Sequence, residues 1–159
     1  MKKILFVCLG NICRSPAAEA IAQEIIDREG LSERVQVDSA GLHGYHEDQK
    51  ADKRMRYAAS LRGYDVTSIS RPIKYDDFDD FDLIIGMDQA NVEALIERAP
   101  SPEAVRKIRP MAGYFRAHLN WDHVPDPYYG GSKGFDLVLD LLEDGVGQLM
   151  KEVARESKS

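Results

Sequence analysis

Residues 3–30 read KILFVCLGNICRSPAAEAIAQEIIDREG and hold the strongest structural signal in the chain. The apolar run at 3–9 is typical of a buried parallel strand. Residues 16–29 place small and aliphatic side chains between charged ones at helical spacing, and Gly30 is a helix stop. A strand followed at once by a helix predicts an α/β unit, in which ligands bind beyond the carboxyl end of the strand. The turn between these two elements is therefore the first candidate for a functional site.

The rest of the chain repeats this alternation. Further strands are predicted at 35–40, 81–87 and, as a short edge strand, 106–110, and further helices at 52–61, 89–98 and 134–155. The stretch 113–132 is rich in Gly, Pro and aromatic residues and is predicted to be a long loop. Alternating strands and helices are typical of an α/β domain with a mainly parallel sheet. Because the sequence shows no repeat, linker or change of composition, we interpret residues 1–159 as a single domain.

Length, composition and charge exclude several classes of protein. The chain has 159 residues, of which 43% are apolar and 30% charged. Its apolar start is too short for a signal peptide, and no apolar stretch reaches the roughly 18–20 residues of a membrane span. The formal net charge of −6 argues against non-specific binding to nucleic acid. Two cysteines are too few for a secreted disulfide scaffold, so we predict a cytoplasmic protein with reactive thiols.

The turn at residues 8–15 has the physical properties of a phosphate-binding loop. Backbone N–H groups at the start of a helix have no partner within the helix, and the helix dipole favours an anion there. Gly10 permits a tight turn, and the guanidinium of Arg14 matches two oxygens of a phosphate. The nucleotide-binding pattern G-x-x-x-x-G-K-[ST] is absent from the sequence. A phosphate group or another oxyanion is therefore the expected ligand.

Cys8 at the entrance of this turn makes it reactive. The same N–H groups and Arg14 favour a thiolate, and a thiolate that faces a bound phosphorus atom forms a cysteinyl-phosphate. Ser15 is placed to donate a hydrogen bond to the sulfur, and Asn11 to fix the turn through backbone contacts. The alternative is that Cys8 packs in the core as a small apolar residue. The arginine six residues later, followed by a serine and a helix, favours the nucleophile.

The pattern C-x5-R-S within VCLGNICRSP, residues 7–16, resembles the signature of the low molecular weight protein tyrosine phosphatases. Three other segments match this family in order and spacing: DSAG at 38–41, FDLIIGMD at 81–88 and DPYY at 126–129. The resemblance covers essentially the whole chain. It implies a single three-layer α/β domain, with a central four-stranded parallel sheet of order 2-1-3-4 and helices on both faces.

The resemblance also implies a reaction and the residues that perform it. Proteins that contain phosphotyrosine would be dephosphorylated by the nucleophile Cys8, the phosphate clamp Arg14 and the general acid and base Asp126. Ser39 would orient Asn11. No metal or other cofactor is implied. The full set of implied site residues is the phosphate-binding Leu9, Gly10, Asn11, Ile12, Cys13, Arg14 and Ser15, the supporting Asn11, Ser15 and Ser39, and the cleft walls Tyr45, Tyr128 and Tyr129.

Cys13 has a separate implied role as a redox partner. Oxidised Cys8 would be trapped as a disulfide with Cys13, which prevents irreversible oxidation. A packed thiol is the alternative. Without the family match, the segment around Asp126 would be read as an ordinary turn, and the cleft tyrosines as half-buried packing. Asp88 is interpreted as the N-cap of the helix that follows it and is kept outside the catalytic set.

Some features depart from the family or leave rival functions open. Ser68 stands where the family often has a histidine. The support that this histidine would give the turn is therefore not implied for this chain. An arsenate reductase of this fold needs a third cysteine, which the chain lacks. A protein arginine phosphatase tends to have threonine in place of Ile12; it stays an alternative, as does a non-catalytic phosphate-binding module. The four histidines do not form a metal-ligand pattern, and a monomer is favoured.

Overall fold

The computed structural model of the chain describes residues 1–128 and 131–156. Within these ranges, the centre is a four-stranded parallel sheet: β1 Lys2–Cys8, β2 Val35–Gly41, β3 Leu83–Gly86 and β4 Ile108–Pro110. The strands lie side by side in the order β2-β1-β3-β4, and each neighbouring pair is parallel. The predicted fold class and strand order are confirmed.

Six α-helices accompany the sheet in the described part of the chain. They are α1 Arg14–Glu29, α2 Lys53–Ser60, α3 Asp77–Asp80, α4 Gln89–Arg98, α5 Pro102–Arg106 and α6 Ser132–Glu156. A 3-10 turn at Met111–Tyr114 follows β4. The sequence prediction has no counterpart for α3, α5 or this turn, because elements of four or five residues are too short to show a helical repeat. Ser101 and Pro102, typical of a helix start, were the available signals for α5.

β1 divides the core into two halves. Its side chains Ile4 and Phe6 pack on the side of α1, α2 and α6. Leu5 and Val7 pack on the other side, with residues of α3, α4 and α5. Successive side chains of a strand point to opposite faces, so a strand covered by helices on both faces needs an apolar run without alternation. The two halves and the sheet between them form the predicted three layers.

The carboxyl edge of the sheet gathers the loops that follow its strands. The backbone N–H of Leu42, just after β2, donates to the carbonyl oxygen of Cys8 at 3.0 Å. The N–H of Val124 donates to the carbonyl oxygen of Met87 at 2.8 Å, which brings the loop before α6 to the same edge. The turn after β1 therefore lies between a loop that follows β2 and the loop that precedes α6.

Gly41 allows the closest backbone approach at this edge. A Cβ atom at this position would lie 3.0 Å from the carbonyl carbon of Gly10 and 3.1 Å from the backbone nitrogen of Asn11. These are backbone atoms, so they cannot move aside as the end of a flexible side chain would. The missing side chain at Gly41 therefore sets the position of the turn after β1.

Gly41→Ala is expected to displace this turn and to lower the free energy of unfolding by about 1–3 kcal/mol, the usual effect of overpacking. Chemical denaturation measures the loss. Gly147→Ala is the matched control, because nothing lies within 4 Å of a Cβ at that helical position, and it should be neutral or stabilising. Equal stability of Gly41→Ala and the wild-type chain would show that the contact is not tight.

Candidate active site

The turn after β1 is held in shape by the side chain of Asn11. Asn11 has a φ of 57°, in the left-handed region that residues other than glycine rarely adopt. Its Nδ2 donates to Ser15 Oγ at 2.8 Å, and its Oδ1 accepts from the backbone N–H of Arg71 at 3.0 Å. Ser70 Oγ donates to the carbonyl oxygen of Gly10 at 3.0 Å. Together these bonds fix a backbone conformation that is costly by itself.

The Cys8 sulfur lies at the base of this turn. Cys8 is 3% exposed, and its sulfur is 3.0 Å from the hydroxyl oxygen of Ser15. Because Ser15 already accepts a hydrogen bond from Asn11, its own proton is available to the sulfur. A hydrogen bond donated to sulfur favours the thiolate over the thiol. The geometry therefore suits a nucleophile rather than a packed core residue.

Arg14 is the buried cation of the site. It is 2% exposed, and its Nη1 donates to Asp88 Oδ2 at 2.7 Å and to the carbonyl oxygen of Val124 at 2.9 Å. Its Nη2 lies 3.7 Å from Asp126 Oδ2. These contacts hold the guanidinium in one orientation. A planar group fixed in this way is suited to bind two oxygens of a phosphate.

Asp88 has a role that the sequence interpretation missed. Its Oδ1 accepts from the N–H of Asn91 at 2.8 Å, so it is the N-cap of α4 as expected. Its Oδ2 binds Arg14 at the same time. The signal for this second role is position: Asp88 follows β3, which pairs with β1. The carboxyl ends of neighbouring parallel strands meet at one edge, so a carboxylate there lies beside the turn after β1.

Asp126 and Tyr128 bring the loop before α6 to the site. The side chain of Asp126 is 38% exposed, and its Oδ1 accepts from the backbone N–H of Tyr128 at 3.0 Å. A cavity of about 450 Å³ lies between this loop and the turn after β1. The residues that line it are Cys8, Leu9, Gly10, Ile12, Cys13, Arg14, His43, Tyr45, His46, Asp126 and Tyr128. The predicted nucleophile, clamp and acid thus share one cavity.

The mouth of the cavity includes two histidines that the sequence analysis did not assign to the site. The rings of His43 and Tyr45 are stacked with centroids 4.0 Å apart, and the rings of His46 and Tyr128 are 6.2 Å apart. Burial and the neighbouring His46 lower the pKa of His43. Tyr45 is 82% exposed and stands at the mouth. Tyr129, the third predicted wall, lies outside the described residues.

The groups around the cavity suit an anionic ligand. Arg14 supplies a fixed positive charge, and the start of α1 supplies backbone N–H groups. In the described ranges, no group of three or more His, Cys, Asp or Glu side chains is arranged to hold a metal ion. A phosphate group is the ligand that matches both this positive charge and the planar guanidinium of Arg14.

Comparison with known proteins decides the family. The model of the family described as low molecular weight phosphotyrosine protein phosphatase matches residues 3–159. The chain belongs to this family. A Synechocystis protein assigned to the low molecular weight protein-tyrosine-phosphatases is 43% identical over 154 residues, which cover 97% of this chain and 98% of that protein. The resemblance predicted from the motifs is confirmed.

Solved phosphatase structures have the same fold. A protein tyrosine phosphatase from Entamoeba histolytica, with Hepes in its active site, is 47% identical and superposes with a TM-score of 0.93 over 100% of both chains. A more distant match is the arginine phosphatase YwlE, 27% identical, with a TM-score of 0.85 and 96% of each chain covered. The architecture of this low molecular weight phosphatase is therefore that of its relatives.

Ser39 in this phosphatase does not have the partner predicted for it. Its hydroxyl donates to Glu19 Oε1 at 2.6 Å, whereas the Asn11 amide is bound by Ser15 and the backbone of Arg71. A serine hydroxyl can donate only one hydrogen bond. The Glu19 side chain, which extends from α1, accepts it. The structure thus corrects the expectation that Ser39 orients Asn11: Ser39 links β2 to α1 instead.

Glu19 is an acid in a poorly solvated place. Burial raises its pKa to about 7, although hydrogen bonds with Ser39 and Ser68 oppose the rise. The charge of Asp38 acts in the same direction as burial, and that of Arg71 against it. Ser68 is the position where the phosphatase family often has a histidine. In this chain Glu19 therefore gains or loses its proton close to neutral pH.

Cys13 is the second thiol of the turn. Burial, followed by the charges of Asp52 and Cys8, raises the pKa of Cys13 above the usual range of a thiol. Both cysteines are buried and free. Cys13 is accordingly a neutral thiol at physiological pH and a weak nucleophile until it loses its proton.

Glu19→Gln is expected to change how stability depends on pH. The folded-state pKa of about 7 lies above the ordinary value of 4.5. The folded chain therefore loses stability as the pH rises through this interval, and the full loss is present above it. A shift of this size corresponds to about 3 kcal/mol. Glutamine does not titrate. The free energy of unfolding of the variant, measured by urea denaturation, should therefore rise relative to that of the wild type between about pH 4 and pH 8.

Ser68→His in the otherwise wild-type chain is the companion variant. A protonated imidazole beside Glu19 would stabilise the carboxylate and reduce the loss of stability near neutral pH. A difference between wild type and Glu19→Gln that stays constant over the whole pH range would disprove the raised pKa.

Proposed function

We propose that this family member is a protein-tyrosine phosphatase that hydrolyses phosphotyrosine and small aryl phosphates through a cysteinyl-phosphate. The observation that carries the proposal is the convergence of Cys8, Arg14 and Asp126 on one cavity. Relatives named as protein-tyrosine phosphatases support the same activity. A module that only binds phosphate needs neither a nucleophile nor an acid, so this arrangement disfavours it.

In the first half of the reaction, the phosphate group occupies the turn between β1 and α1. The Cys8 thiolate attacks the phosphorus atom, the S–P bond forms, and the bond from phosphorus to the phenolic oxygen breaks. Protonated Asp126 gives its proton to that oxygen, so that tyrosine leaves as a neutral phenol. Arg14 and the N–H groups of the turn stabilise the charge on the phosphoryl oxygens.

In the second half, water hydrolyses the cysteinyl-phosphate. Asp126, now a carboxylate, takes a proton from the water molecule while the water oxygen attacks the phosphorus atom. The S–P bond breaks, Cys8 leaves as a thiolate, and inorganic phosphate is released. The Ser15 hydroxyl, 3.0 Å from the sulfur, stabilises the negative charge that returns to Cys8.

The depth of the nucleophile favours phosphotyrosine over phosphoserine. Cys8 is almost fully buried, whereas Tyr45 stands exposed at the mouth of the cavity. A phosphorylated phenol carries its phosphate further from the backbone than phosphoserine does, and its ring can stack against Tyr128 and Tyr45. The short side chain of phosphoserine would leave its phosphate above the sulfur.

Protein arginine phosphatase is the second candidate, because YwlE shares the fold. Ile12 lines the cavity at the position where the arginine-specific branch tends to have threonine. Isoleucine has no hydroxyl to assist attack on phosphoarginine. The higher identity to proteins named as tyrosine phosphatases also favours tyrosine.

Phosphotyrosine-containing proteins are the proposed partners, and phosphate or other oxyanions the proposed ligands of the turn. None of the helices in the described ranges combines the length and apolar character needed to cross a membrane. The cytoplasmic location and the monomeric state stay predictions.

Cys8→Ser is expected to lower the hydrolysis of p-nitrophenyl phosphate by roughly 10⁴-fold or more, because an alcohol is a much weaker nucleophile than a thiolate. Asp126→Asn should keep the nucleophile and lose roughly 10²–10⁴-fold. The assay is run with a thiol reductant and EDTA, and is repeated with phosphotyrosine and phosphoarginine peptides. A folded, reduced wild-type chain without turnover would refute the proposal, and a preference for phosphoarginine would establish the second candidate.

Cys13 is proposed to protect Cys8 from irreversible oxidation. Peroxide oxidises the Cys8 thiolate to a sulfenic acid, and the Cys13 thiol then displaces its oxygen as water, which forms a disulfide. Cys13→Ser should be inactivated by peroxide as the wild type is, but should recover less activity when dithiothreitol is added. Recovery as complete as that of the wild type would eliminate Cys13 as the partner. Mass spectrometry of the oxidised wild type identifies the bond directly.

A further inference from the structure

Arg54, in the first turn of α2, connects the two loops that form the active site. Its Nη2 donates to the carbonyl oxygen of Tyr128, in the loop that carries Asp126, at 2.9 Å. No motif in the sequence marks this arginine, because its partner is a backbone atom far along the chain. Arg54 does not line the cavity, so any effect on the reaction has to pass through the residues that it holds.

Asp52 fixes the direction of this guanidinium. Arg54 Nε lies 3.1 Å from Asp52 Oδ1, and Nη2 lies 2.9 Å from Oδ2, so the two planar groups meet as a fork. The backbone N–H of Asp52 donates to the carbonyl oxygen of Ile12, in the phosphate-binding turn, at 2.7 Å. One end of the pair is thus attached to the turn that holds the nucleophile, and the other end to the loop that holds the acid.

Two aromatic rings flank the same guanidinium. Its carbon lies 5.5 Å from the centroid of the Tyr128 ring and 4.8 Å from that of Phe135 in α6. Cations near aromatic faces are attracted to them. Arg54 is therefore held by a carboxylate, a carbonyl oxygen and two rings, although half of its side chain is exposed.

The carbonyl that Arg54 holds belongs to the residue that orients the general acid. The N–H of Tyr128 donates to Asp126 Oδ1 at 3.0 Å, while its carbonyl oxygen accepts from Arg54. We propose that Arg54 is a positioning residue for the proton transfer: it fixes the backbone of Tyr128, which in turn directs the Asp126 carboxyl group toward the leaving oxygen. The proposal rests on the function proposed above and extends it to a residue outside the cavity.

A positioning role predicts a loss that depends on the leaving group. Expulsion of phenol from phenyl phosphate needs a proton from the acid, whereas expulsion of dinitrophenol hardly does. Arg54→Ala should therefore lower kcat/KM roughly 10-fold to 100-fold for phenyl phosphate, the usual cost of a misplaced catalytic group. For dinitrophenyl phosphate the loss should stay below about threefold. Inorganic phosphate should inhibit the variant as strongly as the wild type, because the phosphate-binding turn is unchanged.

Asp126→Asn provides the second arm of the test. If Arg54 acts only through the acid, adding Arg54→Ala to Asp126→Asn should cost little more than Asp126→Asn alone. Arg54→Lys keeps the charge but loses the fork, and should recover part of the phenyl phosphate activity. If Arg54→Ala does not fold, Arg54→Lys is used in its place for the comparison of the two substrates.

Arg56→Ala is the matched control. Arg56 lies on the same helix, and its Nε donates to the carbonyl oxygen of Ala51 at 2.9 Å. Its replacement therefore removes an arginine from α2 without removing the bond to the loop that carries Asp126. It should leave the ratio of the two activities unchanged. Equal losses of Arg54→Ala on both substrates, or losses that add in the double variant, would overturn the proposal while leaving the cysteine mechanism intact. Absence of wild-type turnover would instead overturn the phosphatase function.

Discussion

The amide of Asn11 supports the chemistry of the site without facing the substrate. A left-handed backbone is unfavourable for asparagine, and the two hydrogen bonds at 2.8 and 3.0 Å offset that cost. One of them occupies the oxygen of Ser15 and so leaves its proton for Cys8. The other ties the turn to the backbone of Arg71, whose side chain binds the buried carboxylate of Asp77. The hydrogen bond to the Cys8 sulfur is therefore part of a polar network that reaches well beyond the cavity.

Two carboxylates contact Arg14, and their distances separate their roles. Asp88 lies at hydrogen-bonding distance, 2.7 Å, and also caps α4, so it is bound from two sides. Asp126 lies 3.7 Å from the guanidinium and is partly open to solvent. The first is a structural partner that keeps Arg14 in place. The second is oriented by the N–H of Tyr128 instead and keeps contact with solvent, which suits the proposed exchange of a proton with substrate and water.

The parts that could be predicted from the sequence are those encoded locally. Apolar runs identified the strands. The cysteine, arginine and serine of the first turn predicted a nucleophile and an anion site, and the structure brings these side chains together on one turn. The strand order came from the family resemblance rather than from any periodicity, since a run of apolar residues does not specify its neighbours. Three contacts were not foreseen, because each depends on a partner that only the folded chain brings near: Asp88 with Arg14, Arg54 with Tyr128, and Ser39 with Glu19. Short elements such as α3 escaped for a different reason, the lack of a full helical repeat.

The predicted site residues within the described ranges lie at the carboxyl edge of the sheet, and none of them lies at the amino edge. The turn between α1 and β2 lies at that second edge, and its residues Ser32 and Glu33 are exposed. A linker attached there would point away from the cavity and would leave its mouth unobstructed. The same polarity of the parallel sheet that concentrates the chemistry therefore provides a site for tethering the enzyme to a surface, or for inserting a reporter domain.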